Sequence, residues 1–254
     1  MKSPRYMIVS GYYGDGAWQQ WFHKLWWANN FKYLQSKANW IQSFWSPKFI
    51  KQPDVWIIGN SKTLPFEMFG KWVNFEGDLG HADDLITGKK PFYLPGAVAV
   101  WMIGAWMAYA NEMDVLYVEQ DCLVFGRWVR QMYKDLGDKG AVFGSGKLHL
   151  GSSTSLFLIR HEYIPIWCME YLAEGPENCG TRIPEDKWRR MAERKPEDYA
   201  RLSFGYDTDR PFNMDDKVFY IQKCTRDELT ELGCHGLIST EGMPKETKLF
   251  SNHE

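Results

Sequence analysis

The run "DVLYV" at 114 to 118 is apolar from its second residue on, and Glu119, Gln120 and Asp121 follow it directly. A short apolar run of this kind, rich in valine and leucine, reads as a strand buried within a sheet. Carboxylates almost never stay in such surroundings without a partner, because stripping water from an unpaired charge is very costly. Glu119 and Asp121 stand two positions apart, so on an extended chain they point to the same side. The pair marks a place where a core strand opens onto something positive, either a protein cation or a metal ion.

Other elements alternate around this strand. "RYMIVSGYY" reads as a first strand, and Trp18, Trp21, Phe22, Leu25 and Trp26 then recur at helical spacing between 17 and about 33. "DVWIIGNS" is a second strand, "KWVNFEGDLG" a weaker third, and a helix from about 95 to 111 leads into the 114 to 118 run. A helix over "RWVRQMYKDL", a strand over "AVFGSG", a glycine- and serine-rich loop and a strand over "SLFLIR" come next. Alternation of this sort predicts an α/β fold with a mostly parallel sheet flanked by helices. On such sheets ligands bind beyond the carboxyl ends of the strands, where Tyr12, Asn60, Asp78 and the Glu119–Asp121 corner all fall. From 173 to 216 the chain turns polar and irregular, which suggests a variable C-terminal lobe laid over the sheet; "KVFYIQK" is a late strand. A single domain over 1–254 is expected, with one half over 1–130 and a second over 131–240.

Composition removes several classes. A formal net charge of -2 gives no basic footprint for nucleic acid. Five cysteines without a CxxC pair fit reduced thiols, hence a cytoplasmic location, soluble or peripheral to a membrane. The longest apolar stretch, "AVAVWMIGAWMAYA", falls short of the ~20 residues a membrane span needs and reads as a core helix. The apolar run near residue 6 is too short for a signal peptide. Most of the 13 tryptophans read as packing, with a minority available as a sugar-stacking surface.

Three stretches carry the chemistry: "EQD" at 119 to 121, "NFEGDLGHADDL" at 74 to 85 and "IPEDKWRRM" at 183 to 191. Together with the order of elements, they resemble the GT-A class of nucleotide-sugar glycosyltransferases. That class carries an acidic DxD after a buried strand, and glutamate fills the first place here. The resemblance covers roughly residues 5 to 190 and implies a metal-dependent transfer of sugar from a nucleotide-sugar donor to a glycan or other hydroxyl acceptor. It further implies Mn²⁺ or Mg²⁺ on Asp121, with Glu119 and a late histidine, His235, as further ligands. Asp78, Gly80 and His81 would lie beside the donor, as would Glu119 and Gln120. Tyr12 and Tyr13 are candidates to stack on the nucleobase.

A divalent ion held by carboxylates suits a diphosphate leaving group, whose charge grows as the glycosidic bond breaks. An inverting transfer also needs a carboxylate on the acceptor side, and the choice lies between Glu185 and Asp186. By resemblance to the Glu-Asp pair of inverting members, Asp186 takes the proton and Glu185 orients it or binds acceptor.

Rival motifs are weaker. "DTD" at 207 to 209 precedes Arg210-Pro211 and suits a solvated turn. "GSGK" at 144 to 147 fails as a phosphate loop, because Ala141 replaces its first glycine and Leu148 its magnesium-binding hydroxyl. "GKLHLGSSTSLFLIR" suits either a sugar-lining loop offering Ser152, Ser153 and Thr154 or an ordinary hairpin. The alternative readings are a non-catalytic carbohydrate-binding protein with a structural cation, and a nucleotidyltransferase.

Overall fold

A computed structural model describes residues 5–12, 54–59, 71–74, 96–120, 122–124, 128–144, 153–174, 184–203, 220–222 and 224–234. Along the chain these form β1 (Tyr6–Tyr12), β2 (Asp54–Gly59), β3 (Lys71–Asn74), α1 (Gly96–Ala110), β4 (Asp114–Val118) and β5 (Cys122–Val124). They continue with α2 (Trp128–Leu136), β6 (Ala141–Gly144), β7 (Ser153–Ile159), a 3₁₀ turn (His161–Tyr163), α3 (Ile164–Ala173), α4 (Pro184–Arg194), β8 (Tyr199–Arg201), β9 (Tyr220–Gln222) and α5 (Arg226–Cys234).

Seven strands make one sheet in the order β3-β2-β1-β4-β7-β6-β8, and β5 pairs with β9 in a separate antiparallel ribbon. β3, β2, β1 and β4 are parallel neighbours, and β6 is parallel to β8. β7 alone runs the other way, antiparallel to both β4 and β6. The α/β architecture implied by the sequence, a mostly parallel sheet flanked by helices, is the one observed. Because β7 is reversed, its first residues lie beside the last residues of β4, on the edge where ligands of such sheets bind.

Burial explains the strand sequences. All five residues of β4 are buried, as are all seven of β7, so neither shows the alternation of a half-exposed strand. Asp114 is the one charged residue of the two strands, and it is satisfied: Tyr133 Oη donates to Oδ2 at 2.6 Å and the His161 backbone N–H to Oδ1 at 2.8 Å. That ties the start of β4 to α2 and to the turn after β7. The core between the sheet and helices α1, α3 and α4 is aromatic, with Phe157 against Trp188 at 4.9 Å, Tyr117 at 4.9 Å and Trp101 at 5.5 Å between ring centroids. Trp101, Trp167 and Trp188 are buried there and Trp128 is buried at the start of α2, whereas Trp106 faces outward. Most tryptophans of the early cluster, such as Trp18, Trp21 and Trp26, lie outside the described residues.

α1 can approach β1 closely because position 104 is glycine. A Cβ there would sit 2.5 Å from Val9 Cγ1, well inside contact distance. The "AVAVWMIGAWMAYA" stretch is thus a core-packed helix, as its sequence implies, although Trp106 and Tyr109 remain exposed. Among the described residues no helix is long and apolar enough to cross a membrane.

Two local readings need correction. Ser153 and Thr154 are not loop hydroxyls but the first, buried residues of β7, which pairs antiparallel with β6 as in the hairpin reading; Ser152 lies outside the described residues. The stretch read as an irregular lobe contains α4 and β8, and β8 completes the edge of the main sheet. The "DTD" and "GSGK" rivals, apart from Gly144, lie outside the described residues, as does the helix expected from 17 to about 33.

Candidate active site at the carboxyl edge of the sheet

At the tip of β4 the chain leaves the sheet through Glu119 and Gln120, both half-buried. The ladder continues one step further, since the Glu119 backbone N–H donates to the Ser155 carbonyl at 2.8 Å. The Cys122 N–H then bonds the Glu119 carbonyl at 3.1 Å, closing a turn that hands the chain to β5. Glu119 Oε2 accepts a hydrogen bond from Gln222 Nε2 at 2.7 Å. Gln222 is buried in β9, so the ribbon formed by β5 and β9 holds the carboxylate from behind.

The second pair of carboxylates sits at the start of α4. Pro184 opens this helix, where its fixed φ and missing N–H cost nothing, and Glu185 and Asp186 occupy the first turn near the positive end of the helix dipole. The two acids differ sharply in their surroundings. Asp186 is only 3% exposed and is clasped by its own helix: Arg189 donates from Nη2 at 2.6 Å and Nε at 3.1 Å, and Arg190 from Nε at 2.8 Å. Burial pushes its carboxyl upward, but the bonds and charges of Arg189 and Arg190 outweigh burial and hold it below the ordinary aspartate value. Glu185 is half-buried, and its Oε1 accepts a hydrogen bond from Thr154 Oγ1 at 3.0 Å.

Adjacent residues of β7 therefore serve the two ends of the site. Ser155 pins the Glu119 backbone and Thr154 holds the Glu185 carboxylate, so the β4 corner and the α4 start flank the same strand end. Nearby, at the carboxyl end of β8, Arg201 stacks on Phe143 at 3.9 Å and donates to the Gly144 carbonyl at 3.4 Å. Burial lowers its guanidinium to about 10. Lys187, on α4, is buried over the Tyr171 ring at 4.5 Å and belongs to the core.

Of the residues singled out in the sequence, Glu119, Gln120, Glu185 and Asp186 are brought to this edge. Tyr12 ends β1 opposite Gly59, with its side chain outside the described residues. Tyr13, Asp78, Gly80, His81, Asp121 and His235 lie outside them as well. Among the described residues no three His, Cys, Asp or Glu come together as metal donors; Glu119 is the one carboxylate of the expected set that they include. Gln222 and Arg201 were not foreseen. Gln222 left a faint signal as a polar residue ending an apolar strand, and Arg201 left none.

No family model matches the chain, and no curated protein does. Solved structures of similar fold include a glycosyltransferase involved in glycosylation of the major capsid of PBCV-1, 11% identical, with 87% of this chain and 93% of that one covered and a TM-score of 0.48. Mouse xyloside xylosyltransferase 1 is 10% identical, with 86% and 96% covered and a TM-score of 0.46. A Bacillus anthracis chain described as a glucose-1-phosphate thymidylyltransferase is 9% identical, with 97% and 99% covered and a TM-score of 0.45. At such identities residue roles do not carry across, and the site has to be argued from its own side chains.

Proposed function

We propose that the chain is a glycosyltransferase that moves a sugar from a nucleotide-sugar donor to a hydroxyl acceptor with inversion. One observation supports this reading above the others: Glu119 and Glu185 flank the same end of β7, one on the corner after β4 and one on the helix α4. A donor seated at the β4 corner would present its anomeric carbon toward the α4 side. There Glu185 takes the proton from the acceptor hydroxyl as the new carbon–oxygen bond forms and the bond to the diphosphate breaks. Resemblance to the Glu-Asp pair pointed to Asp186 for this role. The two arginines that grip Asp186 make it a weak proton acceptor, so we assign the base to Glu185 and a structural role to Asp186.

Asp121, Glu119 and His235 are the proposed ligands of a divalent cation, Mn²⁺ or Mg²⁺. When bound, that ion would neutralise the diphosphate as it leaves. Gln222 holds the Glu119 carboxylate by its hydrogen bond, and Gln120 lies in the turn beside it. Tyr12 and Tyr13 are proposed to stack on the nucleobase, with Asp78, Gly80 and His81 beside the donor.

A thermal-shift screen tests the reading. A nucleoside diphosphate with Mn²⁺ should stabilise the protein, by about 2.7 kcal/mol at a hundred times its dissociation constant. Stabilisation by free glycans alone, with no response to any nucleotide, would indicate a carbohydrate-binding protein instead.

A further inference from the structure

Helices α1 and α3 lie side by side and antiparallel. Trp101, early in α1, meets Tyr171, late in α3, with ring centroids 6.1 Å apart; Tyr109, late in α1, stacks on His161, just before α3, at 4.9 Å. Their inner faces fill the core. Their outer faces carry Trp106 and Tyr109, edge to face at 5.6 Å, and a stripe of Ile166, Met169 and Leu172 spaced three apart. Met169 is 72% exposed, Leu172 56% and Trp106 48%.

α1 contains no charged residue at all, and the single charged residue of α3, Glu170, is engaged by Tyr199 and Lys195. Helices facing water normally carry a polar stripe, and a contiguous apolar surface of several hundred Å² marks an interaction site.

We propose that this α1–α3 face is the interface of a two-fold homodimer. The five outward side chains offer roughly 500 Å² of apolar surface, judged from their exposures and the size of such residues. A stable interface takes about 800 Å² from each partner, and in homodimers about 65% of that is apolar, which asks for nearly the same amount. A two-fold axis sets one patch on its own copy, so two antiparallel helix pairs would form a four-helix layer. A lipid surface fits less well. Exposed Glu162, and Glu112, whose side chain is 82% exposed and loosely paired with Arg5 at 3.9 Å, stand at the Tyr109 end of the patch, where anionic headgroups would repel them.

The inference is independent of the transfer reaction, and its test reads mass rather than activity. Sedimentation equilibrium of the full chain at micromolar concentration should give twice the mass of one chain. Met169→Glu and Leu172→Glu, made on exposed side chains, should each give a monomer with unchanged circular dichroism. As a check that leaves the surface intact, Met169→Cys should yield covalent dimers with a short bismaleimide. The proposal is overturned by a wild-type monomer throughout that range, by a dimer that survives both glutamates, or by a monomer that floats with neutral or anionic vesicles.

Discussion

Thr154 Oγ1 donates to Glu185 Oε1 at 3.0 Å, joining the start of a buried strand to the first turn of a helix through one hydroxyl. Thr154 is buried and cannot turn away, so the carboxylate is aimed by the sheet itself. Thr154→Val keeps shape and strand preference but removes the donor. A hydrogen bond to a charged group contributes about 1.5–3 kcal/mol, so turnover should fall at least about tenfold. Thr154→Ser should restore most of the loss. Steady-state kinetics on the pair checks this, and equal activity in Val and Ser variants would deny the hydroxyl a role.

Glu185 and Asp186 should separate cleanly. Glu185→Gln should lower turnover by ~10²–10⁴ with nucleotide affinity unchanged. Asp186→Asn should instead cost stability, about 1–3 kcal/mol, because it removes the carboxylate that both guanidiniums share and leaves Arg189 with Glu193 alone. The opposite pattern in turnover and melting temperature would return the base to Asp186.

Acid titration supplies a second view of the same aspartate. Its carboxyl is held below the ordinary value in the fold. Its contribution is therefore complete above that ordinary value, about 3.9, and is lost as pH falls through the lower folded one. Denaturant unfolding should show wild type and Asp186→Asn differing most at neutral pH and converging in strong acid. A difference that stays constant down to strong acid would contradict the ion-pair account.

Gly104→Ala should destabilise by about 1–3 kcal/mol, since its Cβ would overlap Val9 Cγ1 at 2.5 Å and α1 would have to lift from β1. Chemical denaturation reads this directly. A neutral or stabilising result would mean that the helix has room to move.

How much of this was legible beforehand depends on the range of the interaction. β4 was readable because its signal is local, an apolar run that ends in polar residues, whereas α4 was absorbed into an irregular stretch although Pro184 and two acids stand at its start. The reversal of β7 was not readable, because an apolar strand sequence carries no mark of direction. Nor was the Gln222–Glu119 bond, which joins residues 103 positions apart. The status of Asp186 was written in the sequence and passed over. Arg189 and Arg190 stand three and four residues beyond it, the spacing that puts side chains together on a helix.

The central claim is most directly tested by following one nucleotide sugar to its products. With a hydroxyl acceptor and Mn²⁺, the account predicts release of one nucleoside diphosphate per sugar transferred. It further predicts a product whose anomeric configuration, read by NMR, is opposite to that of the donor. Retention of configuration would contradict the assignment of Glu185 as base. Formation of nucleoside triphosphate from nucleotide sugar and pyrophosphate, with no glycoside made, would contradict glycosyl transfer altogether.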